Sequence, residues 1–177
     1  MRALYFSFFF SLIFSQYYSS EWGSITSLLT PTGIQVADDN MVYSSTSGGL
    51  LKFDPYMSEF SFIKAREGLV YLDLSSIEID SRGRLWLAGA YPRGCLQVYD
   101  PIIGLVKYFE DDLIVSINKI QIAENIAFAA YKGATTSEIG ILKFQLNSEG
   151  LPEYQDYYTT FSSHTISEIY DLDIFQD

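Results

Sequence analysis

Ile77-Glu-Ile-Asp80-Ser-Arg-Gly83-Arg-Leu-Trp86-Leu-Ala88, then Gly94-Cys-Leu-Gln-Val-Tyr-Asp100-Pro, then Leu105-Val-Lys-Tyr-Phe109, reads as one repeat unit. A weaker copy stands on either side. The earlier one runs from Ile34-Gln-Val through Tyr43 to Gly49-Leu-Leu-Lys-Phe53-Asp-Pro55 and Phe60-Ser-Phe62. The later one runs from Ile120-Gln-Ile through Phe128 to Gly140-Ile-Leu-Lys-Phe144 and Tyr154-Gln-Asp-Tyr157. The three starts at 34, 77 and 120 are 43 residues apart. A period of that size, with several short strands in each unit, is the pattern of a β-propeller blade.

Turn chemistry divides the central unit. Leu74–Ile79 alternates as a first strand. Asp80-Ser-Arg-Gly83 is a tight turn in which Gly supplies a positive φ. Arg84–Ala88 is the second strand, and Gly89–Gly94 is a hairpin loop in which Pro92 bars strand continuation. Leu96–Tyr99 is the third strand, Asp100-Pro101 opens a turn, and Gly104–Phe109 is the fourth strand. The flanking units follow the same plan, with Asp38-Asp39-Asn40 at the first turn, Gly48-Gly49 at a hairpin, and a longer loop at Gly133–Glu138. Tyr43, Trp86 and Phe128 hold equivalent places and read as packing wedges between neighbouring blades. The expected fold is therefore all-β: a partial β-propeller of about three four-stranded antiparallel blades plus the start of a fourth. The units span 25–64, 71–109 and 117–159, within a propeller domain at 25–177. A fourth begins near 168, where Asp171 and Asp173 alternate along a strand. Three blades and one strand do not close a ring, so the chain reads as a fragment of a longer protein.

Composition supports a packed core. Hydrophobic residues make up 48% of the 177, and aromatic residues 16%. That content excludes a disordered chain. The net charge of −11, with basic residues scattered singly, argues against nucleic-acid binding. Met1-Arg2, the apolar run Ala3–Phe14 and the small residue Ser15 form the three parts of a secretory signal peptide at 1–15, compatible with a helix and too short for a membrane span. Residues 16–24 read as a linker and first strand, Trp22 beginning that strand. Membrane attachment would come only through segments beyond the C-terminus or through an uncleaved signal. Cys95, the single cysteine, cannot form an internal disulfide and reads as a small buried hydrophobe.

The strings Ile79-Asp80-Ser-Arg-Gly83-Arg-Leu-Trp86-Leu-Ala and Ser47-Gly48-Gly49-Leu-Leu-Lys-Phe53-Asp54-Pro55 resemble the two-component-regulator propeller repeat. That resemblance implies an exported propeller. Similar repeats occur in sensor ectodomains of hybrid histidine kinases, and in exported propellers that include one tied to the type IX secretion machinery.

No catalytic, cofactor-binding or metal residue is singled out, and no cofactor is expected. His164, the sole histidine, lies in a loop between blades and cannot make a triad or multi-histidine site alone. Glu110-Asp111-Asp112 lacks the glycine spacing of a calcium loop and reads as a solvated turn. Asp80 and Asp100 are accounted for by their turns. Ser24 sits in no nucleophile elbow, and Gly48-Gly49 has no following Lys and helix to cradle a phosphate. The expected function is a non-enzymatic exported module that senses a ligand or docks a protein on one ring face, using loops such as Gly89–Arg93 and Gly133–Glu138. The partner is an unknown protein or small molecule. The alternatives are a metal-dependent lyase or lactonase with its metal in the central channel, for which the inner positions read as mostly apolar or unmatched, and a structural surface protein.

Overall fold

The computed structural model describes residues 28, 30–135 and 138–174. The signal segment expected at 1–15, the expected linker and first strand with Trp22, and Ser24 lie outside the described residues. Three four-stranded antiparallel sheets follow one another along the chain, each in simple meander order. Blade 1 comprises β1 (Pro31–Val36), β2 (Val42–Thr46), β3 (Gly49–Asp54) and β4 (Glu59–Ile63). Blade 2 comprises β5 (Asp73–Ile79), β6 (Leu85–Tyr91), β7 (Cys95–Asp100) and β8 (Gly104–Glu110). Blade 3 comprises β9 (Ile114–Ala123), β10 (Ile126–Gly133), β11 (Ile139–Leu146) and β12 (Pro152–Tyr158). One 3₁₀ turn at Ala65–Glu67 links blades 1 and 2.

The turns form where their side chains direct. Asp80 Oδ1 accepts the backbone N–H groups of Arg82 and Arg84, and Gly83 takes φ +76°. Asn40 holds the corresponding place in blade 1 with φ +64°. Asp54 Oδ1 accepts from Tyr56 and Met57, and Asp100 Oδ1 accepts from Ile102 and Ile103, so the two Asp-Pro turns have the same geometry. Strand β6 runs further than the sequence suggests. Gly89, Ala90 and Tyr91 stay in the sheet, Gly89 pairing with both Leu74 and Cys95, and only Pro92–Gly94 forms the loop. Proline halts the ladder only at its own position, where the donor is missing.

Register makes the three units equivalent. Tyr43 pairs with Gln35 and Lys52, Trp86 with Glu78 and Val98, and Phe128 with Gln121 and Lys143. Directly paired residues share a face, so each blade has one face toward its predecessor and one toward its successor. Tyr43 (2% exposed) is buried with Leu74, Ile77, Leu85, Leu87 and Tyr99 of blade 2. Trp86 (0%) is buried with Ile117, Ile120, Ala129, Leu142 and Phe144 of blade 3. Phe128 is only half-buried. On blade 1, the rows Ile34–Ser44–Leu51–Phe62 and Val36–Val42–Phe53–Phe60 form the face equivalent to the one that blades 2 and 3 bury, and here Ile34, Val36, Phe60 and Phe62 are exposed.

The first strands meet at the inner edge of the blades. Thr32 Oγ1 donates to the carbonyl of Leu74 at 2.9 Å, and Ser75 Oγ donates to the carbonyl of Ile117. Both donors and both acceptors are one repeat apart. Each hydroxyl bonds a first-strand carbonyl of the next blade, and so ties successive blades.

The segment after blade 3 departs from the expected fourth strand. Thr160–Phe161 (β13) and His164–Thr165 (β14) form a two-residue hairpin around Ser162 and Ser163, both at positive φ. His164 is therefore in a short strand rather than a loop. Residues 166–174 form no strand. A strand needs a partner to accept its ladder bonds. Here the segment lies against blade 3, with Leu172 and Ile174 beside Gln121, Phe128 and Ile141, and Asp171 paired to Lys119 at 3.3 Å.

Cys95 is fully buried on β7. Burial, with Glu110 and Asp73 adding negative potential, pushes its thiol pKa up to about 12. The thiolate is the reactive form. The native protein is expected to leave this thiol unmodified by a disulfide reagent at pH 8, and the denatured chain to react with one equivalent. Rapid native labelling would contradict this packing.

Candidate functional site

Antiparallel order sends the loops of each blade to two opposite ends. One end carries the turns joining first to second and third to fourth strands. At this end Arg84 is pinned to Asp80, with Nη2–Oδ2 2.6 Å and Nε–Oδ2 2.8 Å, and Trp86 Nε1 donates to the same oxygen at 3.1 Å. Arg84 reaches across to blade 3, donating to the carbonyls of Glu149 (2.9 Å) and Gly150 (2.6 Å). Arg82 donates to the carbonyls of Ser148 and Glu149. Gly150 sits at φ +66°, and a Cβ there would lie 2.6 Å from Arg84 Nη2, so only glycine permits this approach. Burial raises the Asp80 pKa, but hydrogen bonds from Arg84, Trp86 and Arg82 outweigh it and hold the carboxyl below its ordinary 3.8. This end is a structural clamp.

The opposite end carries the loops between second and third strands and the links between blades. Here a half-open groove of about 370 Å³ separates blades 2 and 3. Phe109 of β8, Leu113 of the link and Ile114 at the start of β9 form one side. Tyr131, Leu142, Tyr154 and Tyr157 of blade 3 form the other. Phe109 and Tyr154 stack with centroids 6.1 Å apart and planes 11° from parallel, and Phe144 meets Phe109 edge-on at 5.2 Å. Asp111 and Glu138 add one carboxylate from each side. Glu138 accepts from Tyr131 Oη at 2.8 Å and from Thr135 Oγ1 at 3.1 Å. Burial first, and then Glu138, raises the Tyr131 phenol pKa, and burial with Asp156, Tyr157 and Asp111 raises that of Tyr154.

A second, smaller cleft of about 200 Å³ opens at the inner edge, lined by Gln35, Glu78 and Gln121 at repeat-equivalent positions, with Lys119 and Asp171. Gln35 Nε2 donates to Glu78 Oε2 at 3.2 Å, and burial raises the Glu78 pKa. The inner positions are thus more polar than the sequence suggests, because the first-strand residues that pair with the wedge aromatics carry amides and a carboxylate.

The structure separates most residues weighed from sequence. Glu110 accepts from Tyr71 Oη, Asp111 from the Leu113 N–H at 2.7 Å, and Asp112 pairs with Arg93, so the acidic triplet has three different partners. His164 is exposed, its Nδ1 3.0 Å from the Ser162 carbonyl. Ser47-Gly48 makes the blade 1 hairpin, and Gly49 opens β3. Of the two loops expected on the binding face, Glu138 reaches the groove, while Gly89 is in the sheet. Nothing in the sequence marks the tyrosines of β12 or Phe109 of β8 as site residues. Tyr154 and Tyr157 stand three apart and share a face only because the β11–β12 register shifts between them, and Phe109 meets Tyr154 only when the two blades pack. Among the described residues no group of three or more His, Cys, Asp or Glu side chains is placed to hold a metal ion.

No family model matches this chain, and no curated protein matches it. Among solved structures, it is similar to the extracellular domain of a putative hybrid two component system from B. thetaiotaomicron, with a TM-score of 0.54 and 19% identity. The match covers 75% of this chain and 18% of that one, so the chain spans under a fifth of the length of the protein it resembles. Consecutive antiparallel four-stranded sheets, stacked face to face and matched by that extracellular domain, make the fold of this chain a partial β-propeller.

Proposed function

We propose that this chain is part of an exported, non-enzymatic propeller module that senses a ligand or docks a partner at the loop-bearing end of its blades. The observation that carries the reading is the aromatic and acidic groove between blades 2 and 3. One end of the interblade seam is closed by the buried Arg84 and the neighbouring Arg82, and the other is open between the sheets. Binding groups on loops and strand ends of a rigid repeat scaffold are a common use of such architectures. The similarity to an extracellular domain of a sensor system, together with the N-terminal signal-like segment, supports an exported location. The expected partner is a small molecule or a protein, with no nucleic acid.

Thermal-shift screening of the purified protein against small-molecule and peptide panels tests this. At saturating ligand at least one class is expected to raise Tm by about 5 °C or more. Turnover of a substrate, or no shift across the panels, overturns the reading.

A further inference from the structure

The groove between blades 2 and 3 combines two features that select a ligand charge. Its walls are rings: Phe109 and Tyr154 in a parallel stack, with Tyr157 half-exposed beside them and Tyr131 buried at the base. Among the described residues its charged lining groups are Asp111 and Glu138, contributed by the link at 111–113 and by the end of the β10–β11 loop. Among the described residues no basic side chain lines it. Arg93, the base on the adjacent loop, is occupied by Asp112. A closing ligand would desolvate both carboxylates, and an opposite charge that also hydrogen-bonds them offsets that cost most fully. An anion would meet repulsion from both, and the chain's net charge of −11 adds to it. Aromatic faces favour a cation within about 6 Å of the ring. The volume is near the low end of the range for small-ligand pockets, about 300–1,000 Å³.

We infer that this groove binds an organic cation: an alkylammonium or guanidinium group carried on a slender apolar stem, its charge between Asp111 and Glu138 and its stem against Tyr154, Tyr157 and Phe109. The inference rests on the sensing or docking reading and names the chemistry of its ligand. The phenols act as neutral walls at physiological pH, since burial and the nearby carboxylates raise the pKa of Tyr131 and Tyr154. Tyr131 donates to Glu138 and fixes that carboxylate's orientation. Two sources share the chemistry, a free amine or guanidine and a basic side chain on a peptide.

Calorimetric titration at low salt separates the outcomes. The probes are agmatine, N-acetyl-arginine methylamide, an arginine-containing tetrapeptide, and N-acetyl-citrulline methylamide as the neutral isostere. One-to-one binding of the cationic probes is expected, with the citrulline probe at least about tenfold weaker. The isosteric double variant Asp111→Asn/Glu138→Gln loses about tenfold or more for the cationic probes. Tyr154→Leu loses about two- to fivefold. Glu59→Gln, an exposed carboxylate on β4 of blade 1, leaves affinity unchanged. Circular dichroism confirms that each variant is folded. Equal affinity for agmatine and the tetrapeptide assigns a free small cation, and a tetrapeptide preference assigns a basic partner; either supports the inference. Equal binding of arginine and citrulline probes, an unaffected double variant, or no binding of any cation overturns it. A neutral or anionic ligand found in the screen and lost in Tyr154→Leu would overturn the inference while leaving the sensing reading intact.

Discussion

Replacing Asp80 with alanine is expected to lower the unfolding free energy by about 3–5 kcal/mol, read as a fall in the urea midpoint at pH 7. Four donors lose their acceptor at once. The Arg84 guanidinium, itself buried, keeps its charge with only carbonyl partners from blade 3. The Trp86 indole N–H loses its acceptor inside the seam. The turn N–H groups of Arg82 and Arg84 lose theirs. Breaking one half of a buried pair is costly because the other half remains, whereas removing both is often tolerated. The double variant Asp80→Ala/Arg84→Met is therefore expected to recover part of the loss. A single-variant loss below about 1 kcal/mol would contradict the clamp.

The same pair sets an acid sensitivity. The Asp80 pKa is lower in the folded state than its ordinary 3.8. A depressed carboxyl contributes stability that is fully present above the unfolded value and disappears as pH falls through the folded one. The stability difference between the natural protein and Asp80→Asn should thus be constant at neutral pH and shrink once pH drops below 3.8. A gap that persists at full size well below that value would show that the carboxylate's charge contributes nothing.

The second large effect compares residues that are equivalent in register. Trp86→Ala is expected to cost about 3–5 kcal/mol, because it empties a fully buried ring site between blades 2 and 3. Phe128→Ala, at the same place in the next blade, is expected to cost about 1 kcal/mol, since Phe128 is half-buried beside the irregular 172–174 segment rather than inside a blade interface. Denaturant titration of both variants under the same conditions measures the contrast. Equal losses would mean that burial by a neighbouring blade does not govern the wedge.

The repeat was legible because its markers are local. Asp80, Gly83, Asp54, Asp100 and Asn40 shape turns within a few residues of themselves, so their spacing alone marks the blades. The wedge positions were legible too, since strand register carries Tyr43, Trp86 and Phe128 to one pairing row. Strand β6 outruns the sequence expectation because proline's effect is confined to its own donor, and Gly89 still pairs on both sides. The strand expected at Asp171 and Asp173 did not form, because alternation describes which way side chains would point but supplies no ladder partner.

Other features needed the packed blades. Thr32 and Ser75 look like ordinary polar strand residues until a carbonyl of the next blade stands opposite each of them. Arg82 and Arg84 could be solvated turn residues until the Ser148–Gly150 carbonyls arrive from 65 or more positions away. The groove is lined from two blades, and neither side encloses a volume alone. Chain chemistry at short range thus decided the blades, their turns and their period, because those depend on φ preferences, side-chain caps and two-residue alternation. The burial of each wedge, the arginine clamp and the aromatic groove were decided only when one sheet met the next, because burial, desolvation and enclosed space belong to surfaces in contact rather than to residues in order.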